Sequence, residues 1–437
     1  MSGRICRRLD GIPLAIELAA ARLRMMPAAE LEARLDQRFA ILTTGSRAAL
    51  PRQQTLRATV DWSWELLTRA EQEALAALSV FAGGFGLAAA EAVAAGPDLP
   101  ARVVMGHLAA LVDKSLVEFD GIDAGPGRYR LLETVRQYAA SRLDALGPAA
   151  AEAARARHRD YYLGLAETAA PQLIGPDQAA WLDRLDAELT NLRAAIAFSL
   201  IQPDAEPGLR MVTSLSHFWR ARGHAGEGAD VVRALLDTAT TKEPTLVRAR
   251  ALAVVSNLLQ QTGSYATADG YCEEALAIAR AADDNHLVGE LLCVRAWIFL
   301  RQGQRDAALP LIESGLALTR PLAAPYVRAC LFAARAHAAY AGGDEAAAAG
   351  DAAEALTLFR QAGDKQHVAT MLGNLGNYEM SAGNTDAARR HQTESLEIMR
   401  SLNHRDGIAY QTFNLASPNI SAALAAPRGH CSPNRLS

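Results

Sequence analysis

Glycine recurs at Gly223, Gly263, Gly303, Gly343 and Gly383, and leucine at Leu236, Leu276, Leu316, Leu356 and Leu396, two independent series sharing one spacing of 40 residues. With glycine at roughly 7% of ordinary sequence, chance does not produce this coincidence, and a period of such length means stacked supersecondary units rather than a single globular core. Other columns keep the register: Ser216, Ser256, Ala296, Ala336 and Gly376 are all small, and Ala268, Ala308, Ala348 and Ala388 share a second column. Within one unit, Leu252, Val255 and Leu259 make one helical stripe, and Ala268, Cys272, Ala275, Leu276 and Ala279 make another. Each unit is therefore expected to be a helix, a turn whose glycine takes the left-handed conformation, and a second helix. Arg280, Arg320, Arg360 and Arg400 fall near the ends of the second helices, where positive charge complements the helix dipole.

The pattern resembles the tetratricopeptide repeat, and Asn374-Leu375-Gly376-Asn377 is close to that family's consensus. The resemblance covers roughly residues 206–415. Because the units exceed the family's 34 residues, the connection after the second helix is expected to be longer. Such a solenoid has a concave surface lined by first helices. Helical position puts His217, Arg220, Asn257, Gln260, Trp297, Arg301, His337, Tyr340 and Asn377 on it, facing a protein or small effector. Trp297 and Tyr340 lead this set because exposed aromatics are enriched at binding hot spots. The plainer alternative is that these side chains are only the solvated side of each first helix.

The first half reads differently. Two helices fit residues 1–48, with Pro13 near one helix start and Pro27 as a break. Thr68-Arg69-Ala70-Glu71 is a capping box before the apolar stretch Leu75 to Phe81. Gly83 to Gly86 reads as a loop, helices fit near 87–95 and 100–112, and strands fit Ser115 to Phe119 and Arg128 to Leu132 around a glycine-rich hairpin loop. A closing helix from Glu133 to Leu146 completes a winged helix with a two-stranded ribbon. The expected fold is mainly α: a winged-helix domain with a small β-hairpin, then a tetratricopeptide-like α-solenoid. The divisions are a helical remnant at 1–48, the winged helix at 50–148, a helical linker at 149–205, repeats at 206–415, and a disordered tail at 416–437.

Further motifs carry a second resemblance. Arg7-Arg8-Leu9-Asp10-Gly11-Ile12-Pro13-Leu14 is similar to the glycine-x-proline segment near the end of the nucleotide-binding module in STAND-type (NB-ARC-like) ATPases. Gln54 to Ser63, Leu78 to Phe85 and Tyr129 to Arg136 resemble the winged helix of bacterial AfsR-like and LuxR-type regulator ATPases, and Gly223-His224 with Glu227-Gly228 resembles their first repeat. The resemblance implies a vestigial nucleotide site at Gly11, Pro13 and Glu133, with Pro13 at the adenine. The family's phosphate-sensing histidine-aspartate pair aligns with Leu132 and Glu133, so its histidine is absent. Pro13 also reads simply as a helix-start proline. The family's P-loop lies upstream of this segment, and its DNA-binding helix-turn-helix follows the repeats, so the chain is expected to be a truncated regulator.

No GxxxxGK[ST] occurs in the 437 residues, so the chain has no glycine cradle or lysine for β and γ phosphates. It is expected to be no enzyme and to need no cofactor, with ATP or ADP entering only through a separate nucleotide-binding module. Lys plus Arg at 44 against Asp plus Glu at 48 gives no basic excess. Within the winged helix, Ala101 to Leu116 offers only Arg102, His107 and Lys114, which counts against intrinsic DNA binding. The basic run Arg155, Arg157, His158, Arg159 reads as a solvated helical face. Gly84-Phe85-Gly86 is a decoy for a dinucleotide fingerprint, lacking the preceding strand. The five cysteines show neither a disulfide framework nor a metal pair, and no apolar run is long enough for a membrane span, so a cytoplasmic protein with reduced thiols is expected.

Overall fold

The computed structural model describes residues 27, 28, 30, 56–96, 99–121, 127–238, 241–322 and 324–416. Gly11, Pro13, most of the expected helical remnant and residues 417–437 of the expected tail lie outside them. The chain divides into two compact units, one of residues 1–162 with 187–198, the other of 163–186 with 199–437.

In the first unit, α1 (Leu56–Glu65) and α2 (Arg69–Leu78) precede β1 (Phe85–Gly86), α3 (Leu87–Ala94), α4 (Ala101–Asp113), β2 (Glu118–Asp120), β3 (Arg128–Arg130) and α5 (Glu133–Ala145). The capping box forms as read. Glu71 N donates to Thr68 Oγ1 at 3.3 Å, and Thr68 N donates to the Glu71 carboxylate at 2.7 Å. The expected loop at Gly83 to Gly86 is corrected: Phe85 and Gly86 pair antiparallel with Tyr129 and Arg128, making a three-stranded sheet in the order β1-β3-β2. A two-residue strand has no alternation to read, and its pairing follows from burial, since Phe85 is fully buried and stacks on Phe81 at 4.1 Å.

Residues 148–162 of α6 (Pro148–Gln172) and 187–198 of α7 (Gln178–Leu200) belong to this unit. Asn191 Oδ1 accepts from Ala82 N at 3.0 Å and Gly83 N at 3.2 Å, while its Nδ2 donates to Gly84 O at 2.9 Å. Glu188 accepts from Arg128 at 2.5 Å and from the Tyr162 hydroxyl at 2.7 Å. The expected solvated basic face holds at exposed Arg155 and is corrected at His158 and Arg157. His158 is buried, which pushes its imidazole down to about 4, Arg157 donates to Val93 O, and Arg155 pairs with Asp144.

The second unit is the stack of helix pairs. In the first pair, α8 (Glu206–Ser214) and α9 (Ser216–Ala221) together stand where one helix was expected, facing α10 (Ala225–Leu236). Then follow α11 (Leu246–Gln261) with α12 (Tyr265–Ala281), α13 (Asn285–Arg301) with α14 (Arg305–Thr319), α15 (Pro325–Ala341) with α16 (Glu345–Ala362), and α17 (Lys365–Ser381) with α18 (Thr385–Ser401), closed by α19 (Arg405–Ala416). The five column glycines all have positive φ, from 74 to 84°. Ala268, Ala308, Ala348 and Ala388 are fully buried.

The longer connection expected after each second helix is found after α10 and α14, where 237–245 and 320–324 separate the helices, but not after α12, α16 or α18. Residues 282–284 join α12 to α13, as briefly as 302–304 join α13 to α14, and α12 and α13 are each 17 residues long. There the surplus over 34 lengthens the helices, and Asp284, Asp344 and Asp364 fix the next helix by accepting from the backbone N–H three residues on. The stack also closes on itself within this unit: Gln178 Nε2 donates to Asp364 at 3.2 Å, Gln366 N donates to Gln178 Oε1 at 3.0 Å, and Arg222 donates to Leu402 O at 3.1 Å.

Candidate ligand cavity in the solenoid

First helices in such a stack bring residues spaced three, four and seven apart onto one inner face. Glu290, Trp297 and Arg301 on α13 share that face, as do His217 and Arg220 on α9. They surround a cavity of about 250 Å³ in the second unit, the volume of roughly eight waters.

Of the expected groove residues, His217, Arg220, Asn257, Gln260, Trp297 and Arg301 line this cavity. His337, Tyr340 and Asn377 do not. His337 lies behind Trp297 with ring centroids 5.3 Å apart, and burial followed by the Arg301 charge lowers its imidazole pKa. Tyr340 packs on Tyr378 at 4.6 Å, with its hydroxyl 3.0 Å from Ser381 Oγ. Asn377 is buried, because α19 packs over that end of the stack. Its Nδ2 donates to the Tyr410 hydroxyl at 3.1 Å, and its Oδ1 accepts from Gln392 and Asn414 at 3.3 Å. Outside this unit, Glu133 accepts from Arg136 at 2.7 Å and from Gln137 at 2.9 Å, bonds within its own helix α5.

Sequence reasoning missed Glu290, Tyr326, Phe359 and His367, all of which line the cavity. Glu290 could have been found by extending the Trp297 stripe one heptad back. Phe359 could not, since it stands on the second helix α16. An aromatic cluster forms one wall: Tyr326 meets His217 at 5.6 Å, Phe359 at 5.8 Å and His367 at 5.7 Å, and Phe359 stacks on His367 at 4.7 Å.

The charges are unevenly satisfied. His367 Nδ1 lies 2.7 Å from Asp364 Oδ2. Burial alone would raise the Asp364 carboxyl pKa, but His367 by charge and hydrogen bonds, and His217 by charge, hold it well below the usual carboxylate range. His217 is pushed down to about 3 by burial and then by Arg220, so it is neutral at pH 7. Glu290 lines the cavity, and its side chain is exposed. Among the described residues, Arg220 and Arg301 make no ion pair, and Arg220 Nε and Gln260 Oε1 are buried without a hydrogen-bond partner. Native proteins leave few such atoms unsatisfied, so both mark a place where polar contact is owed.

In the winged helix, Val103 and Met105 on α4 and Phe119 on β2 are exposed, while Lys114 is held at 2.7 Å by Glu71. Burial would raise the Glu71 carboxyl, but Lys114 and Thr68 lower it. No group of His, Cys, Asp and Glu suited to a metal ion occurs among the described residues.

Comparison with known proteins matches residues 67–144 to the winged helix-turn-helix domain, and residues 248–320 and 368–406 to tetratricopeptide repeats. A Mycobacterium tuberculosis protein named as an HTH-type transcriptional regulator is 45% identical over 289 residues, 64% of this chain and 32% of that protein. Regulatory protein AfsR of Streptomyces griseus is 27% identical over 411 residues, 89% of this chain and 37% of AfsR. The chain thus spans about a third of the length of these relatives. A solved STAND protein with a tetratricopeptide repeat sensor from Pyrococcus horikoshii aligns with 94% of this chain and 64% of its own at 13% identity, with a TM-score of 0.45. Among the described residues, no helix is long and apolar enough to cross a membrane.

Proposed function

We propose that this chain is a non-catalytic sensor in transcriptional regulation, whose solenoid cavity takes a compact effector. The observation that carries this reading is a cavity with buried, unpartnered polar atoms on Arg220 and Gln260 beside the aromatic wall of Tyr326 and Phe359. At about 250 Å³ it suits a small molecule better than a folded protein. In this reading the winged helix docks on a nucleotide-binding module of the STAND type instead of reading DNA. Val103, Met105 and Phe119 give it an apolar outer face, and with Lys114 tied to Glu71 only Arg102 and His107 remain as basic residues on α4. ATP or ADP would be bound by that module, and the reduced thiols of Cys272, Cys293 and Cys330 suit a cytoplasmic location.

The test is a thermal-shift screen of the full chain against a library of bacterial metabolites. Hits should raise the unfolding midpoint of the wild type and lose that effect in Trp297→Ala; hits that shift both equally, or an absence of hits, would overturn the reading. A second reading, an ATP-dependent AfsR or LuxR-type regulator completed by upstream sequence, is favoured by relatives about three times as long as the segment they share with this chain. An in-frame P-loop encoded 5′ of the start codon would support it, and a stop codon there would remove it.

A further inference from the structure

We infer that the cavity's ligand is a compact aromatic anion, with a small oxyanion head against Arg220 and Arg301 and a flat apolar body against Trp297 and the Tyr326–Phe359 wall. This rests on reading the cavity as an effector site. The charge balance favours an anion. Asp364 is already taken by His367 and Gln178, and His217 is neutral, so the charged groups left facing the space are Arg220, Arg301 and Glu290. No ion pair joins Glu290 to either arginine among the described residues, and Glu290 is exposed, so solvent screens its charge. Two guanidinium groups thus share the space with one carboxylate, a net cationic excess.

Unpartnered polar groups in the lining favour the same ligand. The Arg220 guanidinium, whose Nε has no hydrogen-bond partner, lines the cavity and can donate to an oxyanion through a charge-assisted bond stronger than a neutral one. Shape agrees: rings already meet edge-to-face at 5.6 to 5.8 Å along the wall, and a planar body extends that packing.

The test is calorimetric titration of the full chain with three isosteric probes: 2-naphthoate, 2-naphthamide and 2-naphthylmethylamine. The carboxylate is expected to bind one to one and about tenfold tighter than the amide, the scale of one charged hydrogen bond. Arg220→Gln should abolish that preference, Arg220→Lys should keep part of it, and Arg389→Gln on the outer surface should leave it unchanged. If Arg220→Gln fails to fold by circular dichroism, Arg301→Gln carries the same comparison. Equal or tighter binding of the amide or amine, lost in Trp297→Ala, would overturn the anion assignment while the effector reading stands. Failure of all three probes, together with an empty metabolite screen, would overturn both.

Discussion

Asp364 is fully buried and serves three partners: the His367 imidazole, the His367 backbone N–H and the Gln178 side chain. Its folded pKa lies below the unfolded value near 3.9, so the stabilisation it gives is complete above that value and drains as the pH falls toward the lower folded one. Asp364→Asn should cost about 3 kcal/mol in urea unfolding at neutral pH, and less on acidification below about pH 4. A cost that stays constant down to about pH 3 would contradict this. Asn191→Ala should cost about 2 kcal/mol, since it strips partners from the N–H groups of Ala82 and Gly83; a midpoint shift within error would show that water replaces the amide. Neither residue was legible in the sequence. Both act across more than a hundred residues of chain, Asn191 on the loop at 82–84 and Asp364 on Gln178, and no local pattern encodes such a meeting.

The turn glycines were legible because one backbone requirement, positive φ, recurs at a fixed spacing. Gly303 has φ of 74° with nothing near an added Cβ, so Gly303→Ala should cost about 1 kcal/mol from backbone strain alone, and Gly303→Asn less. Equal costs for the two would point to another cause. Gly376 is different, since a Cβ there would meet Gln392 Cγ at 2.6 Å, and its substitution is expected to disturb packing between α17 and α18. The sequence reading missed that Asp283, Gly363 and Asn403 form a second left-handed column at the opposite connection. Three residue types share one conformation there, so the column shows no common letter. The capping box at Thr68 was readable because its partners are three residues apart, whereas β1 was hidden by its length of two.

In the whole molecule, six of nine expected groove residues surround one cavity, and the three others became packing groups where neighbouring helices cover them. Helical periodicity identifies the inner face of a solenoid; it does not say how tightly the stack winds, and that winding, fixed by Gln178 on Asp364 and Arg222 on Leu402, leaves a small, partly open cavity. If the winged helix serves protein docking, fluorescence anisotropy with a duplex should show no saturable, salt-dependent binding at moderate salt; a steep loss of affinity with added salt would mean phosphate contacts. The most direct test of the cavity as sensor is hydrogen exchange on the full chain, with and without the compound giving the largest thermal shift. Slowed exchange is expected at Ser216–Ala221, Leu246–Gln261, Asn285–Arg301, Pro325–Ala341 and Lys365–Ser381, the helices that supply most of the cavity lining. Slowing confined to residues 69–145 of the winged helix would contradict it.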